Sequence, residues 1–190
     1  MLIVQKFGGS SIADGDRLRR AAGICMRQRQ NGNEVVVVVS AMGDTTDLLA
    51  DRARVLGAKP SPREMDALIT TGEQQSAALL VMTMESLGIP AVSLAGWQAG
   101  IYTDCRYGDS DIRLIAPVRI REALSRGRVP VVTGFQGVCA AGDITSLGRG
   151  GSDTTAVALA AALESDCCEI YTYVDGIYTA DPRLIPDAVK

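Results

Sequence analysis

No histidine occurs anywhere in the 190 residues. That absence excludes histidine-based catalytic triads, histidine-ligated zinc and imidazole general bases. No long basic run is present, and the formal net charge is −3, which argues against nucleic acid as a main partner. Long apolar runs are missing too. The longest, Ala156 to Leu163, is alanine-rich and far too short to cross a bilayer, so no membrane partner is expected. The N-terminal apolar run stops at Val4, so no secretory signal is visible. Cysteine is present but unpatterned. Cys25, Cys105, Cys139, Cys167 and Cys168 make an odd number, and the adjacent last two suit neither a zinc knuckle nor an ordinary disulfide framework. Reduced thiols in a cytoplasmic protein are the expectation.

What is present is the composition of a globular chain with a sizeable core: 47% hydrophobic and 22% charged residues. At this length one domain is the default. Strand-like and helix-like segments alternate. Met1 to Gln5 reads as a short buried strand. From Asp14, the positions Leu18, Ala21, Ala22 and Cys25 recur at helical spacing up to Asn31-Gly32. Glu34 to Ser40, EVVVVVS, is a β-branched run without polar alternation, the signature of a strand buried on both faces. Helices are expected at about Thr46 to Leu56, Pro62 to Ile69, Glu73 to Leu87, Val118 to Ser125 and Ser152 to Leu163. Strands are expected at Pro90 to Leu94, Ile112 to Ile115, Val129 to Thr133 and Glu169 to Val174. Gly57 to Arg63 is the most loop-like stretch. The alternation predicts an α/β protein, a three-layer αβα sandwich with a mostly parallel central sheet.

In such a sheet ligands collect beyond the carboxyl ends of the strands, and the informative residues fall there. Lys6-Phe-Gly-Gly-Ser-Ser follows the first strand, Ser40-Ala-Met-Gly-Asp-Thr-Thr the second, and Gly134-Phe-Gln-Gly the one at Val129. Leu147-Gly-Arg-Gly-Gly-Ser-Asp-Thr-Thr precedes the alanine-rich helix. Adjacent glycines let the backbone approach a ligand and aim successive N–H groups at it, and a following helix adds its positive end. Gly8-Gly9-Ser10 and Gly150-Gly151-Ser152 both have this form, with Lys6 and Arg149 supplying full positive charges beside them. A tight structural turn explains a lone glycine pair equally well. Two such turns, each with a neighbouring cation and one with Asp153, predict a phosphate site. The lysine precedes the glycines, so this is not a Walker A loop. Asp153 is read either as a first-turn acid favoured by the helix dipole or as a carboxylate that helps place Mg²⁺ and the phosphate acceptor. Glu73, in Thr70-Thr-Gly-Glu73, reads from spacing alone as a helix-start residue, with an ammonium-binding role as the sharper alternative.

Taken together, KFGGSS, SAMGDTTDLL, TTGEQ, GWQAGI, GFQGV, LGRGGSDTTAVALAAAL and VDGIYTADPR resemble the motifs of aspartate kinases, in the same order. Aspartate kinases are members of the amino acid kinase family. The resemblance covers essentially the whole chain. It implies transfer of the γ-phosphoryl group of ATP, with Mg²⁺, to the side-chain carboxylate of L-aspartate, an early step of lysine, threonine and methionine biosynthesis. It implies a catalytic lysine at Lys6, a catalytic role for Asp153, and Gly8, Gly9 and Ser10 along the phosphate path. Substrate positions fall on Ser40, Thr46, Phe135, Arg149 and Ser152, and Glu73 becomes the residue that holds the aspartate amine. Nucleotide positions fall on Thr172, Tyr178 and Arg183. The chain departs from the family at Tyr173, where an aspartate is usual. The resemblance further implies that residues 1–190 are an amino acid kinase catalytic domain incomplete at its C-terminus, without the regulatory ACT domains, and that the protein forms a homodimer or higher oligomer. A family member acting on glutamate, or a non-catalytic interaction module, is the alternative.

Overall fold

The computed structural model describes residues 1–56, 59–172, 179, 185 and 187–189. Five strands form the central sheet: β1 (Leu2–Phe7), β2 (Glu34–Val39), β3 (Ala91–Leu94), β6 (Val129–Thr133) and β9 (Cys167–Tyr171). Their spatial order is β3-β6-β2-β1-β9, and every neighbouring pair is parallel. The fold is therefore the expected α/β sandwich. The valine run explains its layering directly. Val35, Val37 and Val39 of β2 belong to one apolar cluster, whereas Val36 and Val38 belong to the other. Period-two alternation sends successive side chains to opposite faces, so a strand covered on both sides needs apolar residues at every position. Each fully buried valine adds about 1.5 kcal/mol or more.

The first cluster joins the sheet to α1 (Gly15–Gln30) and α4 (Thr71–Ser86) through Leu18, Ala21, Ala22, Ala77, Leu80 and Met84. The second joins it to α5 (Val118–Ser125) and α6 (Gly151–Leu163) through Ile120, Ala156, Leu159 and Leu163. Two shorter helices, α2 (Thr45–Arg54) and α3 (Pro62–Ile69), lead up to α4. Their starts carry legible chemistry. Asp14 caps α1 by accepting from the Arg17 N–H at 2.8 Å. Ser61 caps α3 by accepting from the Glu64 N–H, with Pro62 in its first turn.

A second sheet was not expected. It has the order β5-β4-β7-β8, from β4 (Ile101–Thr103), β5 (Ile112–Ile115), β7 (Gln136–Cys139) and β8 (Ile144–Ser146). The segment at Ile112 thus belongs here and not to the central sheet. Three of these strands lie in stretches where no element was expected, because runs of three or four residues are too short to show a period. The first strand is also longer than expected. It reaches Phe7, so Lys6 sits within it, paired with Val38 and Ile170. The expected strand end at Val174 lies outside the described residues. Among the described residues no helix is long and apolar enough to cross a membrane.

Candidate functional site

Each strand of the central sheet delivers its C-terminal loop to one rim. β1 ends beside Gly8-Gly9, β2 beside Ser40, and β6 beside Gly134-Phe135. The second sheet accounts for the rest. β7 leaves directly after Phe135, and β8 returns, so that the Leu147 N–H donates to the Phe135 carbonyl at 2.9 Å. That return carries residues 148–150 onto the rim and starts α6 there.

The result is a cavity of about 280 Å³. Lys6, Gly9, Ser40, Thr46, Glu73 and Phe135 line it. Arg149, Gly151, Ser152 and Asp153 line it as well. Nine of the residues expected from the sequence therefore meet in one place: Lys6, Gly9, Ser40, Thr46, Glu73, Phe135, Arg149, Ser152 and Asp153. The two glycine corners lie on the same side of the molecule.

Close backbone approach explains the first corner. A Cβ on Gly9 would lie 2.4 Å from the Ala41 carbonyl oxygen, so only glycine lets the two loops touch. The Gly43 N–H closes the contact by donating to the Gly9 carbonyl at 3.1 Å. At the second corner Gly150 caps α6 with φ 79°, a left-handed conformation that glycine adopts without penalty. Phe135 also holds a positive φ of 69°, costly for a residue with a Cβ and found where surrounding structure imposes it. Here the Thr155 hydroxyl accepts its N–H at 3.1 Å while its carbonyl is held by Leu147.

Among the described residues the cavity holds one ion pair. Lys6 Nζ lies 2.6 Å from Asp153 Oδ1. The contact is a charge pair more than an aligned hydrogen bond, since that buried oxygen has no donor in good geometry. Asp153 is the third residue of α6, so it also faces the positive helix end. The first-turn reading of Asp153 is therefore met. Arg149 is exposed and, among the described residues, forms no ion pair or hydrogen bond. Glu73 is the unusual group. It is 2% exposed. One oxygen accepts from the Ala41 N–H at 3.0 Å, while Oε2 is buried without a partner. Burial pushes its pKa up from 4.5 to about 7, against the opposing pull of its own and the Ala41 N–H groups. A buried carboxylate oxygen with no donor, opening on a cavity, suits a cationic ligand group.

Not every expected residue meets there. Gly8 borders the Lys6 ammonium, since a Cβ on it would lie 3.5 Å from Nζ, and its N–H donates to the Tyr171 carbonyl. Ser10 is exposed, and its carbonyl accepts from Arg17. Thr172 opens instead on a separate cavity of about 150 Å³, beside the stacked rings of Phe7 and Tyr171. Tyr173, Tyr178 and Arg183 lie outside the described residues. Sequence reasoning missed Ala41, whose N–H orients Glu73, and Thr155, whose hydroxyl holds Phe135. Neither contact has a local signal, since 32 and 20 residues separate the partners.

The chain matches the model of the amino acid kinase family over residues 1–190. It is 57% identical over 188 residues to an aspartokinase from Mycolicibacterium smegmatis and 53% identical over 189 residues to one from Geobacillus stearothermophilus. The match takes in 98% and 100% of this chain but only 45% and 46% of those relatives, so the chain spans a little under half of their length. Among solved structures, the crystal structure of aspartate kinase from Synechocystis superposes with a TM-score of 0.83 at 49% identity, covering 100% of this chain and 31% of that one. E. coli aspartokinase III in complex with aspartate and ADP gives a TM-score of 0.87 at 28% identity, covering 99% of this chain and 53% of that one.

Proposed function

Because the chain belongs to the amino acid kinase family, we propose that it is the catalytic portion of an aspartate kinase and phosphorylates the side-chain carboxylate of L-aspartate from ATP. The observation that carries this reading is the pairing of opposite charges across one cavity. Glu73, with its free buried oxygen, faces the same space as the unpaired Arg149, next to Lys6 and the N-terminus of α6. Glu73 takes the substrate ammonium and Arg149 takes a carboxylate, so a zwitterionic amino diacid is held at both signs of charge. Ser40, Thr46 and Ser152 offer hydroxyls around it, and Phe135 packs beneath it.

Both reactants are anions, and the substrate carboxylate is already a nucleophile at neutral pH. The site therefore needs no general base, which suits a protein without histidine. What it must supply is cations and oriented dipoles that meet the charge spread over the transferring phosphoryl group. Lys6 does this from the β1 side, and the first turn of α6 does so from the other. Gly8, Gly9 and Ser10 line the path of the phosphates. Thr172, Tyr178 and Arg183 serve the nucleotide. Mg²⁺ asks for one or two carboxylates and fills its remaining positions with phosphate oxygens and water. Asp153, half-exposed at the cavity mouth, fits that donor set, and the ion would neutralise phosphate charge there.

The five cysteines are all unbridged, which suits a reducing, cytoplasmic setting. Self-association into a homodimer or higher oligomer belongs to the same reading and is measured by sedimentation. The function itself is tested with ATP, Mg²⁺ and hydroxylamine, which traps an acyl phosphate as a hydroxamate. Hydroxamate formed with L-aspartate and little with L-glutamate is the expected result. Preference for glutamate would move the protein to another branch of the family, and no product with either would end the kinase reading.

A further inference from the structure

Asp66 takes no part in the proposed phosphoryl transfer, yet it is 1% exposed. It lies in the middle of α3. One of its oxygens accepts from the Gly108 and Ser146 N–H groups, both at 2.9 Å, and the other accepts from the Ser146 hydroxyl at 2.7 Å. Among the described residues no cation pairs with it. Burying a carboxylate is expensive unless such donors meet it, so three donors converging on it mark a built contact.

Two features tie that contact to the cavity. Ser146 closes β8, three residues before Arg149. The same carboxylate pins Gly108, whose neighbour Asp109 backs the arginine loop so closely that a Cβ on Gly148 would lie 2.6 Å from Asp109 Oδ1. The Ser110 N–H adds a bond to the Ser146 carbonyl at 2.9 Å. In the other direction, α3 passes directly into α4, because Thr70 ends one helix and starts the other. The Thr70 hydroxyl and N–H both bond the Asp66 carbonyl, at 2.7 and 3.2 Å, and Gln136 fixes the Thr70 carbonyl at 2.8 Å. Glu73 follows within one turn. One short, internally braced helix thus connects the strand that leads to Arg149 with the turn that carries Glu73.

We propose that Asp66 is a positioning residue: through Ser146 and Gly108 it fixes where Arg149 stands relative to Glu73 and Lys6, and so favours an acid of aspartate's length over one a methylene longer. The proposal rests on the reading of Glu73 and Arg149 as the substrate's two clamps. Aspartate and glutamate carry identical charges, so charge alone cannot separate them. Separation comes from where the reacting carboxylate lands once the other groups are anchored. A difference of one methylene is worth about 10–200-fold when the pocket is rigid.

The test compares wild type with Asp66→Asn, using L-aspartate and L-glutamate side by side. Asparagine keeps an acceptor for the Ser146 hydroxyl but turns an amide N–H₂ towards the backbone donors. The aspartate KM is expected to rise about tenfold with kcat changed less than about threefold, the KM for ATP to stay level, and the aspartate-to-glutamate ratio of kcat/KM to narrow about tenfold. That ratio is informative because partial unfolding lowers both rates equally and leaves it unchanged. Should Asp66→Asn not fold, Ser146→Ala removes the hydroxyl donor alone and carries the same expectation in weaker form. A folded variant with unaltered aspartate KM and unaltered ratio overturns the positioning role and leaves the functional reading standing. A wild-type protein that phosphorylates neither acid removes both.

Discussion

Glu73 offers the most exposed consequence of the functional reading, because one group makes two measurable quantities move in opposite directions. Its carboxyl titrates at about 7 in the folded protein against an ordinary 4.5. Only the ionised form can hold an ammonium group, so aspartate affinity should fall as pH drops through that value. Between about pH 8.5 and pH 5.5 the dissociation constant should rise about thirtyfold. Aspartate keeps both its carboxylates ionised over that window, so the slope reports on the protein. Stability runs the other way. The folded state holds the Glu73 proton more tightly than the unfolded chain does, so stability falls as pH rises from 4.5 to about 7 and this group adds no slope above it. The displacement corresponds to about 3 kcal/mol. Glu73→Gln removes the titration while keeping an acceptor for the Ala41 N–H. It should be the more stable protein at about pH 8, by up to about 3 kcal/mol, and should bind aspartate at least about tenfold more weakly. Calorimetric titration across pH, with urea unfolding at each pH, measures both quantities. An affinity that stays level with pH, or a Glu73→Gln protein that binds aspartate as wild type does, refutes the assignment of the amine to Glu73.

Three further outcomes follow from the same geometry. Lys6→Ala should lower kcat by about a thousandfold or more while far-UV circular dichroism stays unchanged, since the lysine faces developing phosphoryl charge; turnover near wild type would contradict its role. Arg149→Lys keeps the charge but loses the planar fork, and should raise the aspartate KM about tenfold with the ATP KM level, as read from steady-state kinetics. Gly9→Ala places a methyl 2.4 Å from the Ala41 carbonyl oxygen. It should cost about 1–3 kcal/mol in urea unfolding and weaken aspartate binding, because the displaced loop carries the N–H that orients Glu73.

How far the sequence carried depends on the range of each interaction. The valine run of β2 announced a doubly covered strand because burial on both faces is written locally, one residue after another. The glycine corners were legible for the same reason: a turn that must expose its backbone writes that need into two adjacent positions. Glu73 was ambiguous. A glutamate in the first turn of a helix has a sufficient local explanation, and only the 3.0 Å contact with Ala41, from the β2 loop, shows the side chain turned into the cavity. Three strands of the second sheet, of three and four residues, left no sequence signal, although that sheet returns the chain so that Arg149 lines the same cavity as Lys6. Asp66 is the extreme case. Its partners stand 42 and 80 residues away, and in sequence it is one acid among many on a short helix.

The position of Lys6 shows why fold and site cannot be separated here. Along β1 the side chains alternate between layers: Val4 enters the cluster beneath α6, whereas Phe7 enters the one beneath α1, and Gln5 meets Cys25 of α1. Lys6 shares the α6 face with Val4, which is how its ammonium reaches Asp153. A slip of one residue in the pairing of β1 would turn Gln5 or Phe7 towards Asp153 and bury Lys6 among the apolar side chains of α1 and α4. That slip is prevented on both sides, because β1 is paired in register with β2 over its whole length and with β9 from Ile3 to Phe7. A charge in the middle of a parallel sheet would ordinarily count against the strand. It is tolerated because the helix that follows the second glycine corner sets a carboxylate opposite it within its first turn. Any substitution that weakens the β1–β2 or β1–β9 ladder should therefore move the lysine as well as the core. For such variants, loss of stability and loss of phosphoryl transfer should rise together, whereas variants confined to the Arg149 loop should lose substrate affinity with the core intact.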